Sequence, residues 1–449
     1  MPEITIGEFI FRRLQQIGVE TIFGVPGDYE LRLLDFVEPA GSKWIGTPNE
    51  LVGAYAADGI GITEDVVVTK VPASILETTK LTTALAPGPQ DEVVVNAIVS
   101  RLGRAKNPII IVDGGAARHD WAPDIGSLIA ALEVPYFTTI LGKGIVDEVH
   151  PLYGGCYAGA SSIPQTSAAV ENADCVLWLG NLPSDFSTGR FTEHVKSSVI
   201  IDFQRFFVLV GEEKYDARIN HVLPRLSSAI KSSKLLSTRS KREPEPLLIP
   251  EVPRPIPITH EYIWNRFSTF LKPGDLVVTE TGTAQLGITT TKYPSGVESW
   301  TQAVWGSIGY ATGAAVGASI AAKEIGKHKR MIVFTGEGSL QLTVQAFSIL
   351  NRHGIVPVVF VLNNNGYTVE RYFNGWTAAY NDVPMWDYGA LFKAFSPGEK
   401  DIKTFKVQTA AELDSLLSDK AFNTATHPQC VDMVMDTFDA PECLKAVFK

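Results

Sequence analysis

Two loops set 27 residues apart near the C-terminus constrain this chain more than any other feature. An apolar run, Met331-Ile332-Val333-Phe334-Thr335, opens into Gly336-Glu337-Gly338-Ser339-Leu340. A helix predicted over 341–352 follows, and a second apolar run over 356–362 ends in Asn363-Asn364-Asn365-Gly366-Tyr367. Strand, helix and parallel strand in that order bring both loops to one edge of a sheet. There the glycines let backbone amides approach a phosphate, and a helix N-terminus favours its charge. The Glu337 carboxylate and an amide oxygen from Asn364 suit Mg²⁺, which takes few protein ligands and fills the rest of its shell with phosphate and water. Taken singly, Gly-Glu-Gly and Asn-Gly are ordinary turn sequences. A dinucleotide fingerprint is excluded because Gln341 stands where its third glycine belongs. A phosphate-binding P-loop is excluded because no Gly-Lys-Ser/Thr follows.

The same alternation organises the rest of the 449 residues, too many for one ordinary core. In residues 1–62, helices predicted over 8–17, 29–36 and 49–57 alternate with short strands at 21–24 and near Trp44-Ile45. The pattern then stops, and 63–89 reads as a linker. Two strands are too few for a parallel sheet covered on both faces. Residues 90–232 resume it, with a helix over 92–102 and buried parallel strands over 108–112, 134–140, 175–179 and 198–202. Six prolines between Pro244 and Pro257 mark 233–258 as an extended linker. Residues 259–449 form the third unit, with strands over 276–279, 331–334 and 356–362. The expected fold class is therefore α/β, three consecutive parallel-sheet units with the first incomplete.

The totals exclude several classes. A net charge of −10 argues against a duplex-binding surface. No apolar run approaches the ~18 residues of a membrane span. Four cysteines without CxxC spacing fit reduced thiols, and the N-terminus lacks the basic and apolar pattern of a signal peptide, so the cytoplasm is the expected location.

The words around the two loops narrow the reading. "GSLQLTVQ", "FVLNNNGYTVE", "VWGSIGYATGA" and "ETGTAQLG" in the third unit resemble fungal-type pyruvate decarboxylases. So do "FGVPGDYELRLLD" and "NELVGAYAADG" in the first unit, and "KNPIIIVDGGAARHD" and "LPSDFSTGRF" in the second. That family of 2-oxo acid decarboxylases uses thiamine diphosphate (ThDP) and Mg²⁺, and the likeness covers nearly the whole chain. The resemblance implies that Glu337, the Asn364 side chain and the Gly366 carbonyl hold Mg²⁺ against the diphosphate. It implies that Gly338, Ser339 and Thr283 contact the phosphates, with Asn365, Gly366, Tyr367, Thr368 and Val369 completing the wall. Gly306 and Ser307 would lie beside the pyrimidine, and Ile308 would hold the cofactor bent. Glu50 of a partner subunit would bond the pyrimidine ring nitrogen, while Asp28 and Glu370 would be the acids nearest the substrate. Read without the resemblance, Asp28 is a helix N-cap, Glu50 a first-turn carboxylate and Glu370 a surface carboxylate. Ile308, Trp305 and Tyr367 read as packing residues.

Two departures from the family pattern matter. The first unit lacks roughly a hundred residues of a usual ~150-residue domain. With them goes a histidine pair near the substrate, since no two of the eight histidines are adjacent. The remnant is expected to expose apolar helix faces and strand edges. Glu337 stands where the family has aspartate, and one more methylene moves the carboxylate about 1.5 Å. The expected function is non-oxidative decarboxylation of a 2-oxo acid, most simply pyruvate to acetaldehyde and CO₂, by a homo-oligomer. The alternative is an impaired or inactive relative serving as a binding or regulatory subunit.

Overall fold

The computed structural model describes residues 4–25, 31–60, 85–119, 121–233, 254–326, 330–395 and 401–448. Asp28, residues 63–84 and residues 234–253 of the proline-rich segment lie outside the described residues.

The C-terminal unit is a six-stranded, all-parallel sheet. Its order is Glu298–Thr301, Asp275–Thr279, Arg330–Gly336, Pro357–Asn363, Gln429–Val434 and Lys403–Val407. The apolar runs form its centre because alternate residues serve two different cores. Val278, Val333, Val359 and Val361 pack under one helical layer, and Val277, Ile332, Phe334 and Phe360 under the other. Phe267 seals the second layer, with its ring centroid 4.6 Å from Phe334 and 4.9 Å from Phe360. All seven residues of Pro357–Asn363 are buried, as a strand covered on both faces requires.

The helix expected over 341–352 is two helices, Glu337–Thr343 and Ala346–Arg352. Val344 and Gln345 keep helical dihedrals, but Phe347 N donates to Val344 O and Ser348 N to Gln345 O. These tighter bonds, three residues apart, interrupt the ladder. Periodicity cannot register such a break, because the chain direction hardly changes.

The central unit is a seven-stranded sheet. Tyr153–Cys156, Tyr136–Thr138, Pro108–Val112, Cys175–Leu179 and Ile200–Phe203 run parallel, and Val208–Val210 and Glu213–Tyr215 add an antiparallel edge. The strand expected over 134–140 shrinks to Tyr136–Thr138. The one expected over 198–202 shifts to Ile200–Phe203, because Ser197–Val199 take a 3₁₀ turn. A buried ion pair ties this unit to the next. Lys143 Nζ lies 2.9 Å from Glu148 Oε2 and donates to the Thr291 carbonyl, while Glu148 accepts from Tyr293 N.

The first unit contributes two parallel strands, Thr21–Gly24 and Lys43–Gly46, with helices Ile6–Gln16 and Glu50–Ile60. Thr5 caps the first helix by accepting from Glu8 N. The apolar faces expected to lie bare are partly covered, a correction to the sequence reading. Helix Glu50–Ile60 lies against Tyr310–Ile325 of the C-terminal unit, with Val52 and Ala56 fully buried. The backbones touch at Gly317, where a Cβ would fall 1.8 Å from the Ala56 carbonyl oxygen. Tyr310 Oη donates to Asp58 at 2.7 Å, and Arg118 pairs with the same carboxylate. Leu33 and Leu51 remain exposed.

Gly317→Ala is therefore expected to overpack this contact and cost about 1–3 kcal/mol. Amide exchange followed by mass spectrometry should show faster exchange over residues 50–60 and unchanged protection over 357–363.

Candidate active site

The three central strands of the C-terminal sheet end level with one another, because their parallel register aligns Thr279 with Phe334 and Gly336 with Leu362. Three segments leave them at one edge: 280–283, the strand-to-helix junction 336–339, and 363–367. Among the described residues this is where the sequence-predicted site residues gather.

Glu337 is 1% exposed, and its carboxylate accepts from Gly366 N at 2.6 Å and Asn364 N at 3.3 Å. Burial pushes its carboxyl up to about 7 against these stabilising amide bonds. The extra methylene is thus absorbed, since the carboxylate reaches across to the asparagine loop. Gly366 has a φ of +127°, and a Cβ there would fall 2.3 Å from the Asn381 carbonyl oxygen, so the loop requires glycine. Arg371, 4% exposed, fastens the loop from behind by donating to the Asn365 carbonyl and pairing with Asp382.

The Asn364 amide decides what this cluster can bind. Its inner atom lies 2.9 Å from the Gly366 carbonyl oxygen and 3.1 Å from each Glu337 carboxylate oxygen. Its outer atom lies 2.8 Å from Thr368 Oγ1. With nitrogen inward the amide donates to these acceptors. With oxygen inward, oxygens of three residues face one another at about the ~3 Å edge of an octahedron whose metal–oxygen distance is ~2.1 Å. A carboxylate, an amide oxygen and a carbonyl oxygen at that spacing fit a hard divalent cation. No group of three or more His, Cys, Asp or Glu side chains forms a metal cluster among the described residues, so a cation here would need further oxygens from a ligand or water.

The other predicted residues line the same edge. Tyr367 lies over Gly338, and Ser339 and Thr283 are nearly buried. Gly282, next to Thr283, faces Val369. Asn365 is exposed at a φ of +61°, and Thr368 is buried. Gly306, Ser307 and Ile308 are half-buried in a loop held by Gln302, whose Oε1 accepts from Trp305 N and Gly306 N. Phe186 of the central unit reaches this loop beside Gly306. Trp305, a packing residue when read without the resemblance, is 82% exposed. Glu370 is exposed in the first turn of helix Thr368–Asn374.

Glu50 is not brought to this edge. Its helix meets the start of Tyr310–Ile325 through Tyr55 and Asp58, five and eight residues, or about 7.5 and 12 Å, further along the axis. Glu50 itself is exposed in the first turn of its helix. Asp28 lies outside the described residues.

Sequence reasoning missed Glu280. Fully buried at the end of Asp275–Thr279, it accepts from Thr281 N, Ala311 N and Thr335 Oγ1. One side chain thus joins the segment after Ile308 to the strand that leads into Glu337. The available signal was a carboxylate closing an apolar strand just before Thr-Gly-Thr.

Comparison with known proteins identifies the family. The family models for the thiamine pyrophosphate enzyme N-terminal TPP binding domain, central domain and C-terminal TPP binding domain match residues 4–118, 95–208 and 280–433. The chain is 34% identical to pyruvate decarboxylase of Candida glabrata, covering 99% of this chain and 97% of that protein. It is 33% identical to pyruvate decarboxylase isozyme 1 of Saccharomyces cerevisiae, with 99% and 98% covered. The C. glabrata alignment spans 555 positions against 449 residues here, so more than a hundred positions of that relative have no counterpart. In fold, the chain is similar to an X-ray structure from Mycobacterium smegmatis assigned to the thiamin diphosphate-dependent enzymes. The TM-score is 0.70 at 17% identity, with 96% of this chain and 99% of that one covered.

Burial pushes the Glu280 carboxyl up to about 8 from 4.5. Between those values the folded chain holds a proton that the unfolded chain has released, so stability falls as pH rises through the window and levels off above it. Glu280→Gln removes that slope. The melting temperature of the variant relative to the parent is expected to rise from pH 5 to pH 8, whatever its offset, in paired thermal scans.

Proposed function

Because this chain belongs to the pyruvate decarboxylase-like thiamine diphosphate enzymes, we propose that its 2-oxo acid substrate is pyruvate and that Mg²⁺ seats its cofactor. The convergence of the Glu337 carboxylate, the Asn364 amide and the Gly366 carbonyl carries this reading. These three groups would hold the ion. Gly338, Ser339 and Thr283 would receive the diphosphate, with Asn365, Tyr367 and Val369 beside it. Gly306 and Ser307 would flank the pyrimidine, with Ile308 as the apolar support under the bend. ThDP, when bound, supplies the carbon nucleophile and the electron sink for the charge left by departing CO₂.

The chain's own residues orient the reactants, exclude water and move protons. Phe186 and Tyr367 present apolar surface over the loops, and a drier site strengthens each polar contact inside it. Glu370, exposed one turn from the asparagine loop, would exchange a proton with substrate. Asp28 is assigned the same task from the resemblance. Glu50 would act on the pyrimidine of a second copy, so the active form is a homo-oligomer.

A second reading, a cofactor-binding subunit with little turnover, draws support from the missing hundred-odd positions and from the exposure of Trp305. One assay separates the two. With ThDP and Mg²⁺ saturating, pyruvate should drive NADH oxidation through added alcohol dehydrogenase. Glu337→Gln should lower the rate at subsaturating Mg²⁺ by tenfold or more, roughly the cost of one lost charge-assisted ligand. Cofactor binding without aldehyde formation would sustain the subunit reading instead.

A further inference from the structure

We propose that Thr368 is a positioning residue whose hydroxyl decides which end of the Asn364 amide faces Glu337 and Gly366. The inference deepens the cation-seating reading above and rests on it.

Thr368 is 2% exposed, so its hydroxyl has only protein partners to choose from. Its Oγ1 lies 2.9 Å from the Thr437 carbonyl oxygen and 2.8 Å from the outer atom of the Asn364 amide. A hydroxyl carries one proton and accepts through its lone pairs. While the proton goes to Thr437, Oγ1 is an acceptor towards Asn364. The amide then turns its NH₂ outward to Thr368 and its oxygen inward to the Glu337 and Gly366 oxygens. That is the arrangement in which a cation completes the cluster.

The reverse orientation uses the same atoms. With NH₂ inward, Asn364 donates to Gly366 O and Glu337, and its outward oxygen claims the Thr368 proton. The Thr437 carbonyl then loses that donor. The two states differ by one amide rotation and one hydroxyl rotation, with no backbone change. Thr368 also holds the neighbouring ligand: its backbone N–H donates to the Gly366 carbonyl at 3.0 Å, leaving the other lone pair of that oxygen for the cluster. One residue therefore orients two of the three ligating groups, the kind of outer partner whose loss costs ten- to a hundredfold in metal affinity.

The test is a double-mutant cycle on Mn²⁺ binding, read from the electron paramagnetic resonance of free Mn²⁺ with ThDP present. Thr368→Val should weaken Mn²⁺ binding about 10–100-fold, and Thr368→Ser should restore it. In an Asn364→Asp background both ends of the side chain are oxygens, so orientation ceases to matter. There Thr368→Val should cost less than about threefold, the scale expected of uncoupled sites. Equal losses in both backgrounds, or a serine variant as weak as valine, would overturn the inference and leave Thr368 a packing residue. If the valine variant does not fold, Thr368→Ser measured in the two backgrounds decides, because only retained affinity in both agrees with the proposal. A parent protein that retains no Mn²⁺ overturns the seating reading itself, and this inference with it.

Discussion

A carboxylate at 1% exposure cannot stand alone, and the architecture of the C-terminal unit is organised around compensating Glu337. Its oxygens face backbone amides of a loop that exists only because Gly366 adopts a positive φ and Arg371 grips that loop from behind. The loop in turn lies within reach because two parallel strands end level. Remove the register and the carboxylate has no partners. Remove the carboxylate, and an amide and a carbonyl are left without the charge that draws a cation. Glu280 works on the same principle one strand away, where a second buried carboxyl joins the start of helix Tyr310–Ile325 to the strand entering Glu337.

The shortened first unit still packs against the C-terminal unit. Its long helix finds a cover in Tyr310–Ile325 of the same chain, with Asp58 bonded to Tyr310 and Lys43 to Glu324. That docking keeps Val52 and Ala56 dry, and it leaves Glu50 pointing outward. Trp305, in the loop beside Gly306, is exposed as well. The cluster of Glu337, Asn364 and Gly366 is thus built within one chain.

Much of this was legible in the residues. The apolar runs before Gly336 and Asn363 showed the central strands, because a strand covered on both faces must be apolar throughout and stop at a polar or glycine residue. The pairing of Glu337 with Asn364 followed from that topology. What stayed hidden has physical reasons too. The break after Thr343 changes hydrogen bonding without changing periodicity. The covering of residues 50–60 is a long-range contact that depends on Gly317, which looks like any small residue in an alanine-rich helix. Glu280 and the Thr368–Thr437 hydrogen bond act through contacts between segments distant in the chain, which sequence spacing does not encode. Asp28 lies outside the described residues, so its assignment still rests on resemblance.

The central claim is that Glu337, Asn364 and Gly366 surround one cation. Crystals grown with ThDP and Mn²⁺ test it through anomalous scattering at the manganese edge. The account predicts a single strong peak bonded to a Glu337 carboxylate oxygen, Asn364 Oδ1 and the Gly366 carbonyl oxygen. A peak elsewhere, or none with ThDP bound, would contradict it.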